Sequence, residues 1–212
     1  MSTLTHTPDA YRELRNRIVS GRFVAGQRLV EADLVDSLGI SRMTAREALS
    51  RLQHEGLLTK EAGKSCVVRH VSIGELEEIL DTRIALETYA IREAARKISD
   101  RQRQLLQDKL GELEMARTSI PEFIERQAEL HHLWLESSGL AYARQFVDGL
   151  SALSAQTRMR TALLPGRIDA SLCEHRAIVD ALVRSHPEDC EKAIRDHLTQ
   201  VKEAIRQSLP AQ

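Results

Sequence analysis

The sequence predicts a mainly α-helical protein of two domains: an N-terminal winged helix-turn-helix over residues 1–70 and a C-terminal all-α bundle of six helices over residues 71–212. Three observations predict it. The stretch Ser41 to Leu57 combines a capping serine, an apolar stripe of Ala45, Ala48, Leu49 and Leu52 at three- and four-residue spacing, and a stopping glycine at Gly56. Two short β-prone runs, 57–60 and 66–70, follow it. Beyond them Ser72-Ile-Gly-Glu75 is a capping box that opens helical periodicity running to the end of the chain with no strand pattern.

Charge divides the same way. Residues 1–70 carry 11 Lys and Arg against 8 Asp and Glu, and residues 71–212 carry 19 against 23, so a net charge of −1 hides a basic N-terminal part. Such an excess supports nucleic-acid contact only together with a motif. The 3 cysteines, Cys66, Cys173 and Cys190, are far apart and odd in number, which argues against a disulfide framework and for a reducing compartment. No apolar run approaches the ~20 residues of a membrane span, and no signal segment is visible, so a cytoplasmic location is expected.

The first helix is read over Tyr11 to Ser20, with Tyr11, Leu14 and Ile18 at helical spacing and Gly21 after it. Phe23 to Leu29 reads as a turn around Gly26. Val30, Leu34 and Leu38 define a short second helix closed by Gly39, and Ser41 opens the third, which completes a helix-turn-helix. The apolar stripe of the third helix leaves Arg42, Met43, Arg46 and Ser50 facing outward, with both arginines near the end that meets base edges in a major groove. The runs 57–60 and 66–70, joined by residues 61–65, read as the wing, whose Lys60, Lys64 and Arg69 can reach phosphate. A basic helix in an all-α protein is often only a solvated face, and the bare pattern leaves that alternative open.

Six helices are expected beyond the wing, at 73–98, 100–118, 121–137, 141–163, 168–184 and 187–208, with Pro121 and Pro187 in first turns. Polar residues interrupt their apolar stripes. Gln127 and His131 lie among Phe123, Ile124, Leu130 and Trp134; His175 lies among Leu172, Val179 and Leu182; His197 lies among Cys190, Ile194, Leu198 and Val201. His132 faces away. One inward histidine is usually a hydrogen-bonded core residue. Three on separate helices also suit a shared divalent cage, for which neutral imidazole favours Zn or Ni. Arg83 lies on the stripe of Leu76, Leu80, Ile84 and Ile91, and Arg158 on that of Phe146, Leu150, Leu153 and Ser154. A buried guanidinium needs an anion. For Arg83 that anion is either Glu87, one turn on, or the carboxylate of a small ligand inside the bundle, with Arg158 its second clamp.

Residues 21–57, through Gly21, Gly26, Leu29, Glu31, Leu34, Leu38-Gly39, Ser41-Arg42, Thr44, Arg46-Glu47-Ala48-Leu49, Leu52 and Glu55-Gly56-Leu57, resemble the DNA-binding domain of the GntR family of bacterial transcription regulators. The resemblance implies operator contacts by Arg42, Thr44 and Arg46 and by a wing glycine matching Gly63, beside Lys64. Ala32 stands where some members carry a further DNA-contacting arginine, and Ser65 where a second wing glycine is common. The C-terminal part resembles the FCD ligand-binding domain of the FadR subfamily, through Arg83-Ile-Ala-Leu86-Glu87, Leu130-His131 before Ser138-Gly139, Glu174-His175 and Asp196-His197-Leu198. Its six helices are more like the VanR-like members. In that family an Asp one turn before the first histidine joins three histidines on the metal; here His131, His175 and His197 match, but Gln127 occupies the aspartate position. Leu140 replaces the usual Asn after Ser-Gly.

These readings converge on a cytoplasmic, homodimeric regulator, most often a repressor in this family, that binds double-stranded operator DNA under control of a small organic acid. Arg83, Arg158 and Gln127 are the expected effector contacts. The rivals are a metal-dependent hydrolase or lyase with a DNA-binding appendage, and a pure metal sensor. Against the enzyme, the inward stripes offer no Ser or Cys beside a base and no free carboxylate poised as a general base next to the histidines.

Overall fold

The computed structural model describes residues 7–60 and 65–208. The chain divides into two compact units, Met1–Val71 with Ala152–Gln156 and Ser72–Ser151 with Thr157–Gln212.

In the first unit α1 (Thr7–Val19) buries Ala10, Leu14 and Ile18 completely, while Tyr11, expected on that stripe, is only half-buried. The segment read as a turn contains a strand, β1 (Arg28–Leu29), which pairs antiparallel with β3 (Cys66–Val68). Two residues are too few to show a period of two, and the partner strand lies far along the chain. Gly26 donates its N–H to the Val68 carbonyl (2.9 Å) from the left-handed region, φ +82°, which glycine adopts without strain. The helix-turn-helix is α2 (Glu31–Leu38), a left-handed Gly39, and α3 (Arg42–His54). Ser41 caps α3 as expected: its Oγ accepts the Thr44 N–H at 3.0 Å. After α3, β2 (Leu58–Thr59) pairs with β3, giving a three-stranded antiparallel sheet in the order β1-β3-β2. The wing loop, including Gly63 and Lys64, lies outside the described residues. Leu14, Ile18, Leu34, Leu49, Leu52, Leu57, Leu58 and Val68 form one buried cluster beneath these elements.

The second unit is helical throughout its described residues: α4 (Ile73–Lys97), α5 (Asp100–Met115), α6 (Ile120–Ser137), α7 (Ala141–Ser154), α8 (Arg158–Ala162), α9 (Arg167–Val183) and α10 (Pro187–Ser208). The Ser72–Glu75 capping box closes in both directions, and a second box, Ser99 with Gln102, opens α5. The expected helices are present, with one break. The stretch read as a single helix over 141–163 is α7, a 3-10 turn at Ala155–Thr157, and α8. Arg158 folds back so that Nη2 donates to the Ser151 carbonyl (3.2 Å), satisfying a carbonyl near the end of α7. The turn takes Arg158 off the α7 stripe, and Phe146, expected to be buried there, is 64% exposed. Helix α4 packs against α6, α9 and α10, and α8 packs against the same three, so residues of five helices share one interior. Among the described residues no helix is long and apolar enough to cross a membrane.

Gly56 ends α3 with φ +73°, and a Cβ there would meet the flexible end of Arg69 at 3.3 Å and Leu153 Cδ2 at an ordinary contact distance of 3.8 Å. The cost of a side chain is therefore mainly backbone strain. Gly56→Ala should lower stability by about 1–2 kcal/mol, read as a shift in the chemical denaturation midpoint of the first unit's transition.

Candidate nucleic-acid interface and metal centre

The third helix presents a cationic tip. Ala45, Ala48, Leu49 and Leu52 are buried, which turns Arg42, Met43, Arg46 and Ser50 outward as their spacing predicted. The side chain of Arg46 is 74% exposed. Thr44 is half-buried, and its hydroxyl is 2.9 Å from the Ser41 Oγ, so the cap also orients Thr44. Lys60 is exposed at the base of the wing. The other end of α3 is braced to α1: the Tyr11 hydroxyl donates to Glu55, and the Arg51 guanidinium lies 4.0 Å from the Tyr11 ring centre. Burial, then the hydrogen bond and charge of Glu55, push the Tyr11 phenol up to about 12. Helix position is thus set by a buried stripe and an anchored end, while the tip stays in solvent.

In the second unit His131 of α6, His175 of α9 and His197 of α10 converge, each offering a ring nitrogen within 4.8 Å of the others. His175 and His197 are fully buried, and His131 is half-buried, its side chain 15% exposed. His175 Nδ1 lies 2.6 Å from the Ser171 carbonyl, and His197 Nδ1 lies 2.7 Å from Glu174 Oε2. A carbonyl and a carboxylate only accept, so both Nδ1 atoms carry a proton, which makes Nε2 the nitrogen that keeps the lone pair when the ring is neutral. His131 Nε2 is 3.1 Å from His175 Nε2. That is a hydrogen-bond distance, at which the lone pair of His175 Nε2 accepts from a His131 Nε2–H, and it is also close to the roughly 3.3 Å between two imidazole nitrogens at ~2.0–2.1 Å from one tetrahedral Zn²⁺. Burial holds His131 and His175 well below the ordinary imidazole range, and the charge of His197 adds to it. Arg83 and Arg158 depress His131 further. Both rings are therefore neutral near pH 7, the form a metal takes.

Around the histidines lie carboxylates that the sequence reading did not place there. Glu174 is gripped by both ends of the Arg167 guanidinium, at 2.9 and 3.0 Å. Buried Glu87 accepts from Arg83 Nε at 2.7 Å, while its Oε2 has no hydrogen-bond partner and sits 3.8 Å from His131 Nδ1, too far for one. Helical spacing places Glu174 two turns after Arg167 on α9, but it cannot reveal that Glu174 reaches His197 on another helix. Both carboxylates are already bound to arginines, which leaves neither a loose base. Of the expected effector contacts, Arg83 and Arg158 lie close enough to His131 to act on its charge, and half-buried Gln127 lies one turn before His131 on α6. His132 is exposed, as expected.

A winged helix-turn-helix with a cationic recognition helix, followed by a helical domain enclosing a polar cage, is the build of a DNA-binding regulator with its own sensory domain. Residues 7–68 match the bacterial regulatory proteins of the gntR family, and residues 78–200 match the FCD domain. The chain belongs to the GntR family of transcriptional regulators, in its FCD-domain branch. It is 25% identical over 202 residues to the HTH-type transcriptional regulator YdhC of Bacillus subtilis, covering 94% of this chain and 90% of that one. It is 26% identical over 199 residues to the HTH-type transcriptional repressor RspR of Escherichia coli, covering 93% and 87%. The solved structure of E. coli McbR/YncC superposes with a TM-score of 0.88 over 98% of this chain and 99% of that one, at 21% identity, and so shares the fold.

Because the folded state holds His131 and His175 below the imidazole value of the unfolded chain, unfolding takes up protons as pH falls through about 6.5. Stability is present above that pH and is lost below it. In metal-free protein the melting temperature should hold above about pH 7.5 and fall between about 6.5 and 5, at up to about 1.4 kcal/mol per pH unit per histidine. Calorimetry across this range should show a shallower fall for His175→Gln; an identical fall would contradict the assignment.

Proposed function

We propose that this regulator is a cytoplasmic homodimeric repressor whose two α3 helices read the halves of a palindromic operator, under control of a small organic acid and a divalent metal bound in the FCD domain. The observation that carries it is the solvent-facing pair Arg42 and Arg46 at the capped end of a helix whose opposite face is wholly buried. Thr44 adds a hydroxyl at the same tip, and Gly63 and Lys64 supply the wing's backbone and cationic contacts. A relative bearing the name of a repressor favours that sign of control.

His131, His175 and His197 would hold Zn or Ni through their Nε2 atoms. The metal would supply a Lewis-acidic point to which an acid's carboxylate can bind. Glu87 supports this reading. With His131 bound through Nε2, its proton belongs on Nδ1, the nitrogen facing the Glu87 oxygen that otherwise has no donor. Gln127 in place of a carboxylate leaves the cage less anionic. That weakens the metal's hold and leaves more of its charge for the effector. Arg83 spends Nε on Glu87 and has its terminal nitrogens available, so Arg83, Arg158 and Gln127 form the effector's polar contacts.

Replacing Arg42 or Arg46 by Ala should cost on the order of 1–3 kcal/mol in binding to a palindromic duplex selected from a random pool by the wild-type protein. Fluorescence anisotropy at several salt concentrations reads this; unchanged affinity in both variants would refute the reading of α3. A duplex carrying one half-site should bind far more weakly than the full palindrome.

For the metal, elemental analysis should find near-stoichiometric Zn or Ni after supplementation, and a strong chelator should lower the melting temperature. Trp134, the 1 tryptophan, has its ring centre 4.2 Å from that of His131, so added Ni²⁺ should change its fluorescence. Gln127→Asp should tighten metal binding and His175→Ala should abolish it. A wild-type protein that stays metal-free after supplementation would end this reading.

A further inference from the structure

We propose that Glu31 sets the specificity of the DNA-reading surface: paired with Arg46, it fixes the guanidinium plane for contact with a base edge and keeps that cation from serving as a general phosphate clamp. The inference rests on α3 as the reading helix and adds a residue from α2 to it. Glu31 Oε1 accepts from Arg46 Nε at 3.3 Å, and Oε2 accepts from Nη2 at 3.1 Å. These two contacts occupy the Nε–Nη2 edge of the guanidinium and leave the Nη1–Nη2 edge outward. That outer edge is itself a two-donor fork, the shape that matches O6 and N7 of guanine.

The pair has little to do for stability. With side-chain exposures of 74% and 31%, it is the kind of ion pair whose net contribution is small. Glu31 and Asp33 both lie in the first turn of α2, so Asp33 would keep an acid at the positive end of the helix dipole without Glu31. Nor is Glu31 placed where an acid helps affinity. Hydrogen bonds from Arg46 hold its carboxyl below the usual range, and the charges of Arg46, Lys60 and Arg42 add to this, so one carboxylate stands among the cations of the reading face. Such a carboxylate repels every phosphate it nears and thereby weakens binding to any sequence. It fixes the plane of a long, flexible side chain in return, which helps only where the matching base edge is present.

The test uses the full-length protein, the selected palindromic duplex and a shuffled duplex of equal length and composition. Glu31→Gln should bind the shuffled duplex about fivefold more tightly, with a log–log salt slope steeper by roughly one per protomer, and the ratio of selected to shuffled affinity should fall. Glu31→Asp, which keeps the charge but shortens the reach, should leave shuffled binding unchanged while weakening selected binding. In an Arg46→Ala background Glu31→Gln should lose its effect on the ratio. An unchanged ratio in Glu31→Gln, or equal weakening on both duplexes with a lower melting temperature, would overturn the proposal and make Glu31 a brace between α2 and α3. If Arg46→Ala alone leaves selected binding unchanged, the proposal fails while the reading of α3 stands on Arg42; if Arg42→Ala is silent too, that reading fails as well.

Discussion

A buried imidazole has two nitrogens, and each needs a partner once water is gone. That constraint organises the interior of the helical domain. His175 spends Nδ1 on the carbonyl of Ser171, one turn back on its own helix, and His197 spends Nδ1 on Glu174 of α9. The carboxylate so recruited is itself balanced by Arg167. What remains is a set of ring nitrogens turned toward a common point, and burial penalises the charged forms of His131 and His175. The same accounting exposes an imbalance at the cage, the partnerless Oε2 of Glu87 beside His131.

The DNA-reading surface follows the opposite logic. Its cations stay in water, where they cost little to hold, and their positions come from the apolar residues behind them. Ala45 and Ala48 keep the buried stripe of α3 thin enough for close packing on α1 and α2, and Leu49 and Leu52 fill the cluster beneath. The Tyr11–Glu55 hydrogen bond and the stacking of Arg51 on Tyr11 tie down the far end. Because the tip is exposed, a single polar neighbour such as Glu31 can redirect an arginine there without unsettling the core.

The helices of both units were legible in the chain because their signals are local. Ser41 and Ser72 cap where an oxygen can meet an N–H three residues on, and the buried faces of α3, α9 and α10 repeat at three and four residues. The inward direction of His131, His175 and His197 could be read from the same periodicity, as could the outward direction of Arg42 and Arg46. The family likeness was carried by runs of neighbouring residues and needed no coordinates. By itself, then, the sequence determined which elements form, which face each turns to the core, and which polar side chains lie on that face.

Tertiary structure decided what periodicity cannot express, namely which polar groups meet. Strand β1 exists only because β3 arrives to pair with it, and two residues hold no pattern of their own. The turn after α7 redirects Arg158 because a side chain can cap a carbonyl as well as a backbone N–H can. Glu174 on His197, Glu87 near His131 and Glu31 on Arg46 join residues whose separation in sequence carries no regular spacing, or whose shared helix does not say which other ring stands opposite. The physical reason is that hydrogen bonds and charge pairing act over a few ångströms of space, and only the packed backbone determines which side chains come that close.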